Sequence, residues 1–342
     1  MKSGALVLLL LASPAVLAQT VVHATSRGVL VARPGTLQTF DDNATRVLWS
    51  VPSVQTPAAI VTSDDRAAVI DALANEVAIV DLRTKTATKF TTGETPVDGI
   101  FRTSALYLLE RDARALERIG TDGTRASIDV AADPAFLRQA NGMLYVYSRR
   151  DGVLQEIAPS PLALRRTLRV MPFASDLEVD ARHAYLVLPR PAKIEVVALP
   201  AMKSEGKMDV GAVPVDLAFA SRGTALSAKT LAVADPSGKR VWMIEGMQST
   251  SQAIARGFLR GLLGLGLSGA IGSRFPTGVD RVMVNGSRWY AYDSSTGAVY
   301  RFTKRTSRLI AKGVAPSSFS VGPDGAYAWD EAVRRLQRID GE

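Results

Sequence analysis

Residues 67–100 read "AAVIDALANEVAIVDLRTKTATKFTTGETPVDGI", and this stretch carries the pattern that decides the fold. With "AAIVTS" just before it, the segment gives four runs: "AAIVTS", "RAAVIDAL", "NEVAIVDLRT" and the more polar "TATKFTTG". Runs of four to eight residues rich in Val, Ile and Ala, bounded by turns with Asp, Ser and Gly, are typical of β-strands. The stretch therefore predicts a unit of four short strands.

The same unit recurs along the chain. A proline that opens a short apolar run returns at intervals of 39, 38, 38, 42, 62 and 40 residues, at Pro57, Pro96, Pro134, Pro172, Pro214, Pro276 and Pro316. Four strands in about 40 residues is the signature of an all-β β-propeller. The predicted blades are residues 19–56, 57–95, 96–133, 134–171, 172–213, 214–275, 276–315 and 316–342.

The blade number follows from the ends of the chain. Residues 316–342 supply only three strands, "SSFSVG", "GAYAWD" and "RLQRID". Seven full units and a partial one predict eight blades, and seven blades is the alternative if part of 19–56 lies outside the ring. A strand lent by the N-terminus to the last blade would seal the ring and remove an unpaired strand edge.

Residues 67–100 also resemble a known repeat. A V-x-V-I-D strand followed by a polar strand and G-x-x-P is similar to the YVTN-type β-propeller repeat of bacterial exported and surface proteins, and "PSSFSVGPDGAYAWD" (316–330) resembles its junction between blades. The resemblance covers about residues 20–342 apart from one insert. It implies the fold rather than an activity, because propellers include ligand-binding, scaffolding and enzymatic members.

The first 18 residues predict export. Lys2 precedes the apolar run "ALVLLLLASPAVLA", and Val16, Leu17 and Ala18 form a small-residue cleavage site. We expect a signal peptide over residues 1–18 and a single propeller domain over 19–342, in the periplasm, the cell envelope or the medium. The chain has no cysteine, which excludes a lipid anchor on Cys, a disulfide-linked partner, thiol catalysis and Cys-based metal sites.

The charge of the chain favours anionic partners. The formal net charge is +8, and it falls to +7 once Lys2 is removed with the signal. A basic exported protein is suited to phospholipid headgroups, anionic envelope polymers or acidic proteins. Nucleic acid is not expected, because the basic residues are scattered instead of forming one stripe with interleaved aromatic residues.

The sequence contains no catalytic constellation. His23 and His183 are the two histidines, and each falls in a strand pattern where a structural role is expected. There is no G-x-S-x-G elbow, P-loop, H-E-x-x-H or calcium loop, and the four tryptophans lie in strand patterns where core packing is expected. We expect no catalytic residue, no metal and no cofactor.

Turns between second and third strands emerge on one face of a propeller, and here several of them are basic. Arginine pairs at such turns are suited to a carboxylate- or phosphate-rich partner, and simple solvation of loop charges is the alternative. Asp112, Asp151, Asp235 and Asp330 would neutralise part of the field. The candidate binding residues are Arg111, Arg114, Arg149, Arg150, Arg190, Lys193, Lys239, Arg240, Arg334 and Arg335.

The long sixth interval contains an apolar, glycine-rich insert, residues 251–273, with "ARGFLRGLLGLGLSGAIGSRF" at 255–275. Its spacing predicts a short amphipathic helix up to Leu263, and the glycines that follow predict a flexible loop. It caps the ring, docks a partner or contacts a membrane peripherally; these three roles stay open. The candidate docking residues are Arg256, Phe258, Leu259, Arg260, Leu262 and Leu263.

These observations favour an exported, non-catalytic binding or scaffolding module that engages a protein or an anionic envelope component. A lactonase- or lyase-like propeller enzyme acting on a small anionic ligand is the alternative. The channel lining discriminates the two: Arg, Glu, Asn and His favour the enzyme, whereas Val, Ala and Ser favour the scaffold.

Overall fold

The second and third strands of each repeat are apolar on both faces, and this determines how the sheets pack. A computed structural model describes residues 20–210, 213–220, 230–244, 270–285, 288–303 and 306–340. In blade 2, Ala67 and Val69 pack towards blade 1, whereas Ala68 and Ile70 pack towards blade 3. A strand that is buried on both faces reads as a continuous apolar run, which explains "AAVI" and "VAIV" in the sequence.

The strands form eight antiparallel sheets in chain order. Blades 1 to 4 contain β1 Val21–Thr25, β2 Gly28–Arg33, β3 Thr36–Phe40, β4 Val47–Pro52; β5 Ala59–Thr62, β6 Arg66–Asp71, β7 Glu76–Asp81, β8 Thr86–Thr91; β9 Pro96–Arg102, β10 Ala105–Glu110, β11 Ala115–Gly120, β12 Arg125–Asp129; and β13 Pro134–Ala140, β14 Met143–Ser148, β15 Val153–Pro159, β16 Leu162–Arg169.

The remaining four sheets follow the same order, with a short 3-10 turn at Pro316–Ser318 before the last one. Blades 5 to 8 contain β17 Asp176–Val179, β18 His183–Leu188, β19 Lys193–Ala198, β20 Lys203–Asp209; β21 Asp216–Ala220, β22 Thr230–Asp235, β23 Arg240–Ile244, β24 Ala270–Arg274; β25 Arg281–Asn285, β26 Arg288–Asp293, β27 Ala298–Phe302, β28 Ser307–Ala311; and β29 Phe319–Gly322, β30 Gly325–Asp330, β31 Arg335–Arg338.

The eight sheets are blades around a common axis. The first strand of each blade packs against the first strand of the next, and β29 packs against β1, so the first strands surround a central channel. The apolar core is divided accordingly into eight clusters, one at each junction between neighbouring blades. The prediction of an all-β propeller is confirmed, with eight blades rather than seven.

The first described strand, β1, lies within its own blade and does not pair with blade 8. β1 pairs with β2 inside blade 1, from Val21 opposite Ala32 to Thr25 opposite Gly28. Blade 8 has three strands in the part of the chain that the structure describes. Side chains join blade 8 to blade 1: the Ala24 amide donates to Ser320 Oγ at 3.0 Å, and the ring of Trp329 packs against Phe40.

The aspartate that ends the "AAVID" strand, β6, has a structural role. Asp71 is fully buried at the end of β6, and its carboxylate accepts hydrogen bonds from the amides of Thr56, at 2.8 Å, and Ala74, at 2.9 Å. It therefore ties the turn after β6 to the connection that precedes the blade. Glu110 does the same in blade 3, where it accepts the Gly93 amide at 2.7 Å.

Candidate functional site

The turns between second and third strands share one backbone device. The last residue of each turn adopts a left-handed conformation, with φ of 52° at Arg114, 50° at Lys239 and 49° at Arg334, where blades 4 and 7 have Gly152 and Gly297. In blades 3 and 6 its carbonyl accepts an amide from the end of the same blade, Arg114 from Val130 at 2.9 Å and Lys239 from Phe275 at 3.0 Å. These arginine and lysine side chains are therefore presented at a fixed, exposed point of what we call the turn face.

Three of the predicted residues converge at one place on the turn face. Arg111, Arg114 and Arg150, from the turns of blades 3 and 4, line a cleft of about 240 Å³ together with Asp112 and Asp133. Arg111 Nε lies 3.5 Å from Asp112 Oδ1, and Asp112 also accepts a hydrogen bond from Thr95 Oγ1. Within the described chain, Arg114 and Arg150 have no ion-pair partner. We call these five residues the turn-face cleft.

The other predicted basic residues do not join this cleft. Arg149 lies over the ring of Phe136, at 5.5 Å, and donates to the Ala174 carbonyl at 3.3 Å. Lys193 forms an ion pair with Asp209 at 3.0 Å, and Arg240 lies over Trp242. The exposed residues that stand apart from it are Arg190, Lys239, Arg334 and Arg335.

The acidic neighbours act mainly on the backbone. Asp151 accepts the Ala132 amide at 2.8 Å, Asp235 accepts that of Gly238 at 3.1 Å, and Asp330 accepts that of Ala332 at 2.9 Å. Aspartate commonly fixes turns in this way. Asp112, by contrast, pairs directly with one of the predicted arginines.

The channel contains a charged network that the sequence did not reveal. Arg138 of blade 4 reaches Asp98 of blade 3 at 3.0 Å, and Asp176 and Glu178 of blade 5 at 3.6 and 3.2 Å. Asp216 of blade 6 lies beside Asp176, close enough for the two carboxyl groups to affect each other's ionisation. We call these five residues the channel network.

The carboxylates of the channel network also bond the backbone of the next blade. Asp98 accepts the Leu137 amide at 2.9 Å, Asp176 that of Leu217 at 3.1 Å, and Asp216 that of Val282 at 2.7 Å. Burial raises the pKa of Asp98 and of Asp176, and Arg138 opposes the rise at both. Burial, and then the neighbouring Asp176, hold the pKa of Asp216 well above its usual range.

Neither histidine has the surroundings of a metal site. The His23 ring nitrogen Nε2 lies 3.0 Å from Thr62 Oγ1, and burial lowers the pKa of His23. His183 lies beside Glu205, at 3.4 Å, and Asp180. Among the residues with described positions, no group of three or more His, Asp or Glu side chains could hold a metal ion.

A second cleft opens at the same junction of blades 3 and 4, on the face opposite the turn face. It has a volume of about 580 Å³, and Arg102, Arg118 and Arg165 line it with Tyr107. We call it the opposite-face cleft. No sequence pattern indicates this cleft, because its arginines come from three strands of two blades and no two of them are adjacent.

The position of the insert in the sixth blade is determined by the strands on either side. The chain leaves β23 at Ile244 and re-enters β24 at Ala270, so the connection between third and fourth strands starts and ends on the side of the opposite-face cleft. Residues 270–273, expected within the insert, belong to β24. Arg256, Phe258, Leu259, Arg260, Leu262 and Leu263, and with them the helix expected there, lie outside the described residues. No described helix is both long and apolar enough to cross a bilayer.

Solved structures with the same fold are numerous and diverse. The chain is similar to the dihydro-heme d1 dehydrogenase NirN in complex with DHE, with a TM-score of 0.69 at 11% identity over 95% of this chain and 73% of that one. It is also similar to virginiamycin B lyase from Staphylococcus aureus, with a TM-score of 0.57 at 12% identity over 83% and 92% of the chains. The Neurospora crassa Pan2 WD40 domain gives a TM-score of 0.55 at 10% identity over 80% and 85%.

No family model matches the chain, and no curated protein matches its sequence. At identities this low, the likeness to solved structures shows the propeller fold alone. The similar structures include enzymes as well as a WD40 domain, so the function must be argued from the side chains.

Proposed function

We propose that the protein is an exported, non-catalytic β-propeller module that binds an acidic protein or an anionic envelope component through its turn face. The observation that carries the proposal is the pair Arg114 and Arg150, which line one cleft from neighbouring blades without an ion-pair partner in the described chain. Guanidinium groups bind carboxylate and phosphate in a bidentate geometry.

The surroundings of this cleft favour a charged chain over a small molecule. A volume of about 240 Å³ holds one or two anionic groups, and it falls below the 300–1,000 Å³ of pockets that enclose a small ligand. Arg190, Lys239, Arg334 and Arg335 are exposed on the same face. A partner with several acidic groups would engage the cleft and feel the wider positive field of that face.

The proposal of export is based on the sequence of residues 1–18. A peripheral membrane contact through residues 251–273 is a separate part of the proposal. The chain enters and leaves that insert on the side away from the turn face. Deleting residues 252–269 leaves β24 intact and separates the two surfaces. Loss of binding to vesicles of anionic phospholipid, with binding through the turn face retained, would assign the insert to the membrane.

One observation favours an enzyme as the second candidate function. The coupled carboxyl groups of Asp176 and Asp216 lie at the channel, beside Arg138. Their oxygens are already bonded to the neighbouring strands, which favours a structural role. Hydrolysis or elimination of a panel of lactones, lost in Asp216→Asn while the fold is retained, would decide for the enzyme.

The test of the binding function compares two pairs of arginines on the same face. Arg114→Gln with Arg150→Gln removes two charges from the cleft, and Arg334→Gln with Arg335→Gln removes two charges from an exposed turn outside it. We expect the first pair to weaken binding of a decaglutamate peptide at least tenfold at 50 mM NaCl, measured by biolayer interferometry. The second pair should change it about twofold or less, because it acts only through the screened field.

Equal losses in both double variants would contradict a specific cleft and leave only diffuse charge. No binding of the peptide by the unmodified protein, together with no binding of anionic vesicles, would contradict the function as a whole.

A further inference from the structure

The opposite-face cleft differs from the turn-face cleft in size and in charge. Its volume of about 580 Å³ lies within the range of pockets that enclose a small ligand. It is walled by the turns that follow β9, β13 and β15, at residues 103–104, 141–142 and 160–161. The cleft therefore has well-defined walls on the face away from the proposed partner-binding surface.

Positive charge in this cleft is almost uncompensated. None of the described residues that line it is acidic. Arg102 and Arg165 form no ion pair with any described residue. Arg118 contacts Thr124 Oγ1 at 3.5 Å. Arg118 also helps to lower the pKa of the Asp122 carboxyl. The nearby Glu156 is held by Arg166 at 2.5 and 2.6 Å, and Arg165, which forms no hydrogen bond with it, helps only as a minor cause to lower the pKa of that carboxyl.

The base of the cleft is apolar and fixed. Tyr107 is buried, and its hydroxyl donates to the Pro159 carbonyl at 2.8 Å, which joins blade 3 to blade 4. Ala105 and Ala158 are buried beside it, and Met143 is half-buried. A ligand that fits this lining has an apolar body against the base and an anionic group towards the guanidinium groups.

We propose that the opposite-face cleft binds a small soluble organic anion, with a phosphate or carboxylate group on an apolar body. Arg102 and Arg165 hold the anionic group, Arg118 adds charge, and Tyr107 and Met143 contact the apolar part. Thr103, Ser104 and Ser160 supply hydroxyl groups at the rim. This inference goes beyond the proposed function, since it uses other residues on the other face and stands if the turn face binds nothing.

The experiment uses the full exported chain with phenyl phosphate, benzoate and inorganic phosphate as probes, each titrated by isothermal calorimetry. We expect phenyl phosphate to bind more tightly than inorganic phosphate, because only the former uses the apolar base. Arg102→Gln and Arg165→Gln should each weaken phenyl phosphate binding about tenfold. Arg169→Gln is the matched control: it lies on the same strand as Arg165 but outside the cleft, and it should leave binding unchanged.

Thermal unfolding verifies that each variant is folded, and amide shifts of Gly142 and Ser160 on titration of the unmodified protein locate the ligand without any variant. Absence of phenyl phosphate binding, or binding that the Arg102 and Arg165 variants leave intact, overturns the proposal. Binding of phosphatidylglycerol vesicles that these variants abolish, with no binding of phenyl phosphate, also overturns it, because the anion would then be a lipid headgroup. Failure of the decaglutamate test alone leaves this site standing.

Discussion

The junctions from blade 3 to blade 7 add charged contacts to their apolar clusters, whereas the seam between blades 8 and 1 is packed around aromatic rings. From blade 3 to blade 7, three first-strand carboxylates bond the backbone of the next blade, and Arg138 pairs with two of them and with Glu178. At the seam between blades 8 and 1, Trp329 and Tyr327 pack in an apolar cluster with Phe40. Within the described residues, side-chain packing and hydrogen bonds made by side chains join blade 8 to blade 1.

The charged channel network and the apolar seam differ in the free energy of burying their side chains. Burying a charge is expensive unless it is paired, so the channel network is stable only while all its members are present. Apolar contacts at the seam have no such dependence, and each side chain contributes in proportion to the area that it buries. Substitutions in the two regions should therefore differ in size and in their response to pH.

The largest effect is expected at the seam. Trp329→Ala removes a ring that is only 5% exposed. The ring packs against Phe40, with the two centroids 6.2 Å apart, and the Arg33 guanidinium lies over it. The cavity should cost about 3–5 kcal/mol, measured as a lower urea midpoint. Trp49→Ala, at a half-buried tryptophan on the outer strand of blade 1, is the control and should cost clearly less. Equal losses would mean that the seam has no special role.

A smaller loss is expected in the channel network. Arg138→Met leaves Asp98, Asp176 and Glu178 without their shared cation. Breaking a fully buried ion pair costs about 3–5 kcal/mol of the free energy of unfolding. The Arg138 side chain is 25% exposed, so solvent screens its charge and we expect Arg138→Met to cost about 2 kcal/mol.

This loss should shrink between pH 7.5 and pH 4.5, because protonation of the carboxylates relieves their repulsion. Urea midpoints at the two pH values measure it, with Arg169→Met as a control outside the network. A loss that is the same at both pH values would contradict the electrostatic account.

The two regions also differ in how far the sequence predicts them. The 38–42-residue spacing of the prolines predicts eight blades, because each four-stranded unit needs about that many residues. "TPVDGIF" and "VPVDLAF" place Asp98 and Asp216 at equivalent positions, but only the ring brings Asp216 beside Asp176. A carboxylate on an inner strand reads as an ordinary polar residue until the neighbouring blade is in place.

The candidate sites also differ in how far the sequence predicts them. Turns of consecutive blades are neighbours, so the convergence of Arg111, Arg114 and Arg150 was within reach of the repeat pattern. The position of Arg149 was not, because it depends on contacts with the Phe136 ring and the Ala174 carbonyl. Arg102, Arg118 and Arg165 come together only through the stagger of two blades, which no sequence spacing records.

A hydrogen bond across the seam gives the next smaller effect. The Tyr327 hydroxyl donates to the Asp42 carbonyl at 2.8 Å, between blades 8 and 1. Tyr327→Phe keeps the ring in the apolar cluster and should cost about 1 kcal/mol, seen in the urea midpoint at any pH from 5 to 8. Tyr300→Phe, whose hydroxyl lies 3.1 Å from Thr277 Oγ1 away from the seam, is the comparison. A pH-dependent loss at Tyr327 would show that charge also acts at the seam.

The most diagnostic comparison concerns Asp216. Its pKa is raised in the folded protein, so between the unfolded value of about 4 and the folded pKa the native state binds a proton that the unfolded chain has lost. Stability from this group is fully present below about pH 4 and falls as the pH rises through that window. Asp216→Asn keeps an oxygen for the Val282 amide and does not titrate, so its stability should equal that of the unmodified protein near pH 4 and exceed it at pH 8. If the stability of the two proteins depended on pH in the same way, Asp216 would not take up a proton on folding. The channel network would then be held by backbone hydrogen bonds rather than by charge.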